Sequence, residues 1–442
     1  MPLRAPRLLQ AAAAVVAATA LAGCGASPGG SGGSQSESGA VKKGIPKNEK
    51  ITLSVWDYAQ EDNSIEHVVK MFEKKYPNVT VKLNLSKAFE DYYTTLKLGL
   101  SGPDAPDLVT GNTGWTTDGP LVKAKLIIPL DAYAKAYGWE EHYGNLDEFR
   151  FTDDGRHWGE GSLYGISHWA GPYGLFVHTG MLKKLGLKIP TSLDELEHAM
   201  AVAKQAGEIP MQYGALDKWP APQELGMIMN MISDPQKVND WIYGRNDVKF
   251  QDLNAVKAAT ILQDWARKGY FTPDFNGVSY QDATTNFAKG EGLFMFTGTW
   301  IVPAFEGKGV KFFTLPKKVA MGGYGEGWHI TSASKHKDAA AALLDFMTNR
   351  QAERVYIKEG GFIPSIPMQV ATSKPLFAEA LDVWNSLNRD GYLVKLLEWA
   401  TPEMGQTIGP GIQKLMVGRT TPQALVKDVE AEHAKFQSGQ GE

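Results

Sequence analysis

The stretch ITLSVWDY, residues 51–58, begins the part of the sequence that decides the fold. Ile51, Leu53 and Val55 alternate with polar residues, which predicts a strand with one buried face. The same alternation returns in VTVKLNL, residues 79–85, so a second strand is predicted there. A strand, a helix and a strand in this order form a βαβ unit, which is typical of a parallel sheet.

The helix between the two strands has its own start and stop signals. Apolar residues recur at helical spacing from Ile65 to Tyr76. Asn63 and Glu66 stand three residues apart before this run, as in a capping box. Pro77 then ends the helix, because proline removes a backbone donor and restricts the residue before it. We therefore predict a helix between Asn63 and Pro77.

Strands and helices alternate along the rest of the chain and predict two α/β lobes. Proline at a first helical position, Ser192 with Glu195 as a second capping box, and glycine after helix ends mark the boundaries. The predicted strands cover residues 107–110, 175–178 and 292–297, and the predicted helices cover residues 192–207, 253–268, 337–350 and 421–436.

The first 50 residues resemble the leader of a bacterial lipoprotein. Arg4 and Arg7 precede an Ala-rich apolar run that is too short to span a bilayer comfortably. The run ends in LAGC, residues 21–24, which looks like a lipobox, with the diacylglycerol on Cys24. We expect residues 1–23 to be a signal peptide and residues 24–50 a Gly- and Ser-rich tether. The alternative is an ordinary signal peptide that happens to contain a cysteine.

Composition excludes several classes of function. The net charge of −4 becomes about −6 without residues 1–23, so nucleic acid is not an expected partner. The nine histidines are scattered singly, which argues against a metal site. No serine-hydrolase, zinc-protease or P-loop motif occurs. We expect neither a cofactor nor a catalytic residue.

Several segments, in their order along the chain, resemble the extracellular solute-binding proteins of ABC importers, the branch that includes maltose-binding proteins. The similarity covers nearly all of the mature chain. It rests on the occurrence of these segments in this order, together with the lipobox. The segments are LSVWD (53–57), YPNV (76–79), APDLV (105–109), SLYGIS (162–167), residues 186–196, KGEGLFMFTGTW (289–300), residues 325–334 and GFIP (361–364).

This resemblance implies an α/β fold of the type II periplasmic-binding-protein kind, with two lobes, a hinge and a ligand cleft between the lobes. Lobe 1 is expected at residues 51–168 plus 310–350, lobe 2 at 169–309 plus 351–437, and a tail at 438–442. The chain would cross between lobes near residues 167–172, 301–311 and 350–361. Such proteins close around their ligand. The expected partners are a carbohydrate and the transmembrane subunits of an ABC permease, and we expect a monomer held at the membrane by Cys24.

The loops at the predicted strand ends supply the candidate ligand residues. Ligands of open α/β sheets bind at the carboxyl ends of strands. These loops are rich in aromatic rings, which can cover the apolar faces of sugar rings, and in carboxylates and amides, which can bind hydroxyls. By resemblance, Trp300 is a stacking tryptophan, while Asp57 and Asp217 bind hydroxyls. The candidates are Trp56, Asp57, Asn112, Trp115, His168, Tyr173, Asp217, Trp219, Glu224, Trp300, Glu326, Trp328 and Phe362.

Other ligands and activities stay open at this point. The loops contain almost no arginine, which favours a neutral carbohydrate over an anionic solute, because anions need a fixed cation or backbone donors. A polyamine, peptide or osmolyte is the alternative ligand. A secreted glycosidase is a remote alternative, since acidic residues could also flank a glycosidic bond. Trp241, Trp265, Trp384 and Trp399 are expected to pack against helices.

Overall fold

The computed structural model describes residues 41–58 and 63–439. The predicted signal peptide, Cys24 and most of the predicted tether lie outside these residues. Thirteen strands are present in this part of the chain: β1 Ile51–Tyr58, β2 Val79–Lys87, β3 Leu108–Gly111, β4 Arg150–Phe151, β5 Ser162–Leu163, β6 Trp169–Ala170, β7 Tyr173–His178, β8 Phe294–Gly298, β9 Val310–Phe313, β10 Val319–Met321, β11 Gly327–Ile330, β12 Ile363–Pro364 and β13 Tyr392–Val394.

Sixteen α-helices accompany these strands within the described residues. They are α1 Ser64–Lys75, α2 Phe89–Leu100, α3 Asp118–Lys123, α4 Asp131–Tyr137, α5 Thr179–Lys184, α6 Leu193–Gln205, α7 Pro220–Ile232, α8 Pro235–Ile242, α9 Ala255–Arg267, α10 Tyr280–Ala288, α11 Val302–Phe305, α12 Lys337–Met347, α13 Arg350–Glu359, α14 Pro375–Asp390, α15 Met404–Met416 and α16 Pro422–Gln437. In this part of the chain, none of the helices combines the length and apolar character that crossing a membrane requires.

The predicted βαβ unit is the centre of a four-stranded sheet with the order β11-β3-β1-β2. β1 runs parallel to β2 and to β3, and β11 is antiparallel to β3. α1 begins and ends where the sequence predicts. The side-chain part of the capping prediction is wrong, because Asn63 has φ −106° and ψ 21° and makes no capping bond. An N-cap side chain needs an extended backbone to reach the helix amides.

A second sheet has the order β8-β7-β9 and is antiparallel throughout. β9 pairs with β7, for example Leu175 opposite Phe313. Residues 310–313 therefore join the sheet that we expected in lobe 2, and the chain returns to the first sheet only at β11. Similarly, α13 packs against α1, where His67 contacts Glu359. The pairing of β9 and the packing of α13 thus differ from the grouping of residues 310–313 and 351–359 that we expected.

Local signals explain the remaining helix boundaries. Ser192 Oγ accepts a hydrogen bond from Glu195 N at 3.2 Å, which caps α6, while the Glu195 carboxylate binds Thr191 N at 2.7 Å. The helix predicted over 337–350 is instead α12 followed by α13. Asn349 separates them, because its side chain caps α13 through Gln351 N at 2.8 Å.

Apolar side chains form two large buried clusters that fill the space around and between the sheets. Trp241, Trp265 and Trp384 are fully buried, and Trp399 is buried, as predicted for residues that pack against helices. The aromatic residues that stay partly exposed are therefore the informative ones for a binding site.

Candidate functional site

Six aromatic side chains from different parts of the chain meet beside the end of β8. We call them the aromatic cluster: Trp169, Tyr173, Trp219, Tyr280, Trp300 and Phe362. Trp300 is central, with its ring centroid 5.0 Å from Tyr173, 6.4 Å from Trp169 and 6.3 Å from Trp219. Phe362 completes the group against Trp169 at 5.5 Å. Trp300, Trp219, Tyr280 and Phe362 are only half-buried, so ring surface is open to a ligand.

Hydrogen bonds hold the rings of this cluster in place. The Trp300 indole N–H donates to the Tyr280 hydroxyl at 2.8 Å, and that oxygen lies 2.9 Å from Thr297 Oγ1. The exposed Asp217 accepts from the Tyr280 backbone N–H at 2.7 Å. Trp219 packs on the Tyr280 ring at 4.6 Å. Asp217 thus contributes by fixing the start of α10, which carries Tyr280.

Two glycines allow tryptophan rings to lie directly on the backbone. A Cβ at Gly298 would stand 1.8 Å from Trp300 Cζ3, and a Cβ at Gly325 would stand 1.9 Å from Trp169 Cε2. Any other residue would push these rings out of position. The sequence Gly298-Thr299-Trp300 is therefore a local structural requirement for the central ring.

A carboxylate lies on each side of the aromatic cluster. Glu326 accepts hydrogen bonds from the Trp169 side chain and from the Tyr58 hydroxyl, the latter at 3.4 Å, and burial raises its pKa to about 7. Glu398 accepts from Gln223 Nε2, and burial raises its pKa to about 7 as well. The negative charges of both carboxylates add to burial in raising the pKa of Tyr173. Tyr173 therefore lies within electrostatic range of both.

A second aromatic group stands beside Glu326. Tyr58 packs on Phe89 at 5.0 Å, and Phe89 packs on Tyr93 at 4.8 Å. Phe89 is exposed. The Tyr93 hydroxyl is buried without a hydrogen-bond partner among the described residues, and the negative charge of Glu326 adds to burial in raising its pKa. The rim of the site thus carries aromatic surface on the side of the first sheet.

The first-strand candidates lie at the adjoining strand ends. Asp57 is 1% exposed and accepts from Thr110 Oγ1 at 2.6 Å, which ties β1 to β3. Trp56 is directed toward α2, because a Cβ at Gly99 would stand 2.7 Å from its ring. Tyr92 donates to the Trp56 carbonyl at 3.0 Å. Asp57 thus supports the strand ends next to Tyr58.

His168 and Trp328 form a buried pair behind Phe362. The indole N–H of Trp328 donates to His168 Nδ1 at 3.0 Å, so His168 is a neutral acceptor there. Burial lowers the pKa of His168 to about 3. The His168 ring also packs on Tyr356 at 4.3 Å and on Phe362 at 6.4 Å. These two candidates support the aromatic cluster from beneath.

Three further candidates lie in other surroundings. Trp115 is 3% exposed and packs between Phe151 at 5.7 Å and Phe436 at 4.8 Å, which is a core position. Asn112 is half-buried directly after β3. Glu224 is buried beside Tyr213, and burial raises its pKa to about 8. Within residues 41–58 and 63–439, no group of three or more His, Cys, Asp or Glu side chains could hold a metal ion.

The family model named bacterial extracellular solute-binding protein matches residues 54–354. The chain belongs to this family. It is therefore an extracellular solute-binding protein rather than an enzyme, in agreement with the sequence analysis. Its α/β fold is that of periplasmic solute-binding proteins, as predicted.

The individual relatives that match this chain have low sequence identity to it. This solute-binding protein is 23% identical over 335 residues to the multiple sugar-binding protein of Streptococcus mutans. The alignment covers 71% of this chain and 75% of the relative. It is 22% identical over 418 residues to the galactooligosaccharide-binding protein of Bacillus subtilis, covering 91% and 92%.

Solved structures share the fold. A chitin oligosaccharide binding protein superimposes with a TM-score of 0.74 at 18% identity, covering 88% of this chain and 100% of the other. The binding protein RafE in complex with raffinose superimposes with a TM-score of 0.67 at 20% identity, covering 87% and 99%. At these identities the similarity shows the fold alone.

Sequence reasoning omitted several residues that the structure brings to this site of the solute-binding protein. The candidate set lacks Trp169, Tyr58, Tyr280 and Glu398. Gln223 was missed while its neighbour Glu224 was chosen. Successive residues of a helix point about 100° apart, so the two side chains of α7 face different surroundings. The helical register of α7 was the signal that could have separated them.

Proposed function

We propose that this protein captures a sugar or short oligosaccharide and delivers it to the permease of an ABC importer. The observation that carries the proposal is the half-buried aromatic cluster with hydrogen-bonding groups on both sides of it. Trp300, Trp219 and Phe362 offer ring surface, and Glu326 and Glu398 offer acceptors. A sugar presents an apolar face and a rim of hydroxyls, so it complements both.

The names of relatives support the same class of ligand. The relatives described above are called sugar-binding or galactooligosaccharide-binding proteins, and another at 23% identity is called an ABC transporter extracellular-binding protein. The polar groups of the site also favour a hydroxyl-rich ligand, because each buried polar group without a partner costs about 1–3 kcal/mol.

The lobe division that we propose follows the sheet pairing. Lobe 1 would comprise residues 51–168 with 322–359, and lobe 2 residues 169–321 with 360–437, because β10 pairs with β13. Trp169 and Glu326 lie near the segments in which the chain changes sheets, and Trp300 contacts Trp169. A ligand that contacts both lobes would favour the closed arrangement over the open one, which is the condition for a ligand-driven closure.

The anchoring that we propose rests on the sequence of the leader. Cys24 would carry the lipid, and residues 24–40 would let the folded body open, close and dock while staying near its permease. Residues 41–50 do not belong to this tether, because Ile45 is buried and Asn78 donates to the Pro46 carbonyl at 2.9 Å. Two acyl chains hold a protein at a membrane far better than one. A short tether raises the effective concentration of the captured sugar at the importer.

A thermal-shift panel of mono- and oligosaccharides tests the ligand class. A ligand at 100 times its Kd stabilises the folded protein by about 2.7 kcal/mol, which raises the Tm measurably. We expect at least one saccharide to raise the Tm of the wild type in a saturable manner. If polyamines or peptides raise the Tm and no saccharide does, the sugar assignment is refuted.

A further inference from the structure

Two buried acceptors beside the aromatic cluster lack a donor. Glu398 Oε2 and Gln223 Oε1 are both buried and make no hydrogen bond within residues 41–58 and 63–439. Gln223 is only 3% exposed, and its amide nitrogen is already used, since it donates to Glu398 and to the Trp219 carbonyl at 3.1 Å. The pair therefore holds two unsatisfied acceptors next to Trp219.

These acceptors also lack a compensating positive charge. No lysine or arginine forms an ion pair with Glu398 or Glu326 in the part of the chain that the structure describes. Some buried acids of this protein do have such a partner, since Glu148 contacts Lys395 and Asp118 lies 3.1 Å from His329, whereas Glu224 and Glu353 have none. Burying a carboxylate without a partner is costly, and Glu398 differs from Glu224 and Glu353 in its link through Gln223 to Trp219, a partly open ring.

Each of the two acids is linked to a different residue of the aromatic cluster. Glu326 is held by Trp169 on one side, and Glu398 is linked through Gln223 to Trp219 on the other. Tyr173 responds to the charges of both. Aromatic faces attract cations, and they also pack against the apolar faces of sugars. The rings and the carboxylates therefore both favour a positively charged group on the ligand.

We propose that the ligand carries an ammonium group, and that this group binds between Glu398 and Gln223. The inference rests on the proposed function and narrows its ligand class to amino sugars. A hydroxyl brings one donor together with its own acceptor lone pairs, whereas an ammonium brings three donors, no acceptor and a positive charge. Glu398 Oε2 and Gln223 Oε1 can both be satisfied by one such group.

Matched series of three saccharides test this proposal. The members of a series share their ring configuration and linkage and differ at one position, which carries a hydroxyl, an amine or an N-acetylated amine. The series are glucose, glucosamine and N-acetylglucosamine, the corresponding galactose compounds, and the β-linked dimers of both. Affinities are measured by titration calorimetry at neutral pH. Charge-assisted hydrogen bonds exceed neutral ones enough to predict about tenfold tighter binding of the amine member.

Variants locate the effect. Glu398→Gln keeps the shape of the side chain and should bring the amine-to-hydroxyl affinity ratio close to one. Glu403→Gln makes the same change of charge at an exposed position close in sequence and should leave the ratio unchanged. A tenfold preference that survives Glu398→Gln would overturn the assignment of the ammonium to this pair.

The outcomes separate the two proposals. If the hydroxyl or N-acetyl member binds as tightly as the amine, the ammonium inference fails and the proposed sugar binding stands. If no member of these series binds but another saccharide of the thermal-shift panel does, the ammonium inference fails and the proposed sugar binding stands. If no saccharide of that panel binds either, both proposals fail. If the amine is preferred and the preference disappears only in Glu398→Gln, the inference is supported.

Discussion

Replacing Trp300 with alanine removes the central ring of the site. The half-buried indole contacts Tyr173, Trp169 and Trp219 and donates one hydrogen bond to Tyr280. Truncating a fully buried tryptophan costs about 3–5 kcal/mol of stability. Because this ring is partly open, and because the Tyr280 hydroxyl keeps Thr297 as a partner, we expect a loss of about 2 kcal/mol.

The loss of binding free energy in Trp300→Ala should be at least as large as this loss of stability. A central aromatic contact in a binding site is worth about 2 kcal/mol or more, which corresponds to roughly 30-fold in Kd. Calorimetric titration with the saccharide that gives the largest thermal shift measures this change. Urea unfolding of the unliganded variant measures the stability separately and shows whether the fold persists.

Two variants control this experiment. Trp300→Phe keeps a ring but loses the indole donor, so its affinity should lie between those of the wild type and the alanine variant. Tyr137→Ala removes a half-buried ring at the end of α4, which stacks on Trp139, and should leave the affinity unchanged. A folded Trp300→Ala variant that binds the saccharide within twofold of the wild type would refute the stacking role of Trp300.

Three further predictions concern stability and location. Burial raises the pKa of Glu224 from 4.5 to about 8, so the folded state keeps a proton that the unfolded state releases, and stability falls as pH rises through this range. Near pH 4.5, Glu224→Gln should therefore have the same free energy of unfolding as the wild type. Above about pH 8, its free energy of unfolding should be higher than that of the wild type by up to about 5 kcal/mol. Equal urea curves at both pH values would contradict this. Lys395→Met leaves Glu148 buried without its cation and should cost about 3–5 kcal/mol in urea unfolding, with most of the loss recovered by adding Glu148→Gln; a double variant no more stable than the single one would argue against the pair. Cys24→Ala should release the protein from the membrane fraction of a bacterial host, and retention equal to the wild type would exclude lipidation of Cys24 as the anchor.

Periodicity predicted the parts of the fold that depend on local sequence. β1, α1 and β2 follow from alternation and helical spacing, and Pro77 marks the helix end correctly. The sheet to which β9 belongs could not be predicted in this way, because a four-residue strand carries no signal for its pairing partner. β9 joins β7 through contacts that are distant in sequence.

The candidate site was predictable where a residue follows directly from a strand end. Trp300 follows β8 and stands at the centre of the aromatic cluster. Trp115 also follows a strand, yet it packs in the core against Phe436, because α16 covers that strand end. Glu398 lies in a turn of the C-terminal segment, and only the tertiary fold brings it to Gln223.

A crystal structure of the protein with its tightest saccharide tests the central claim most directly. We expect a sugar ring against Trp300 and Trp219, with polar groups of the sugar bonded to Glu398 and Gln223. A saccharide bound elsewhere, with the aromatic cluster unoccupied, would contradict the account.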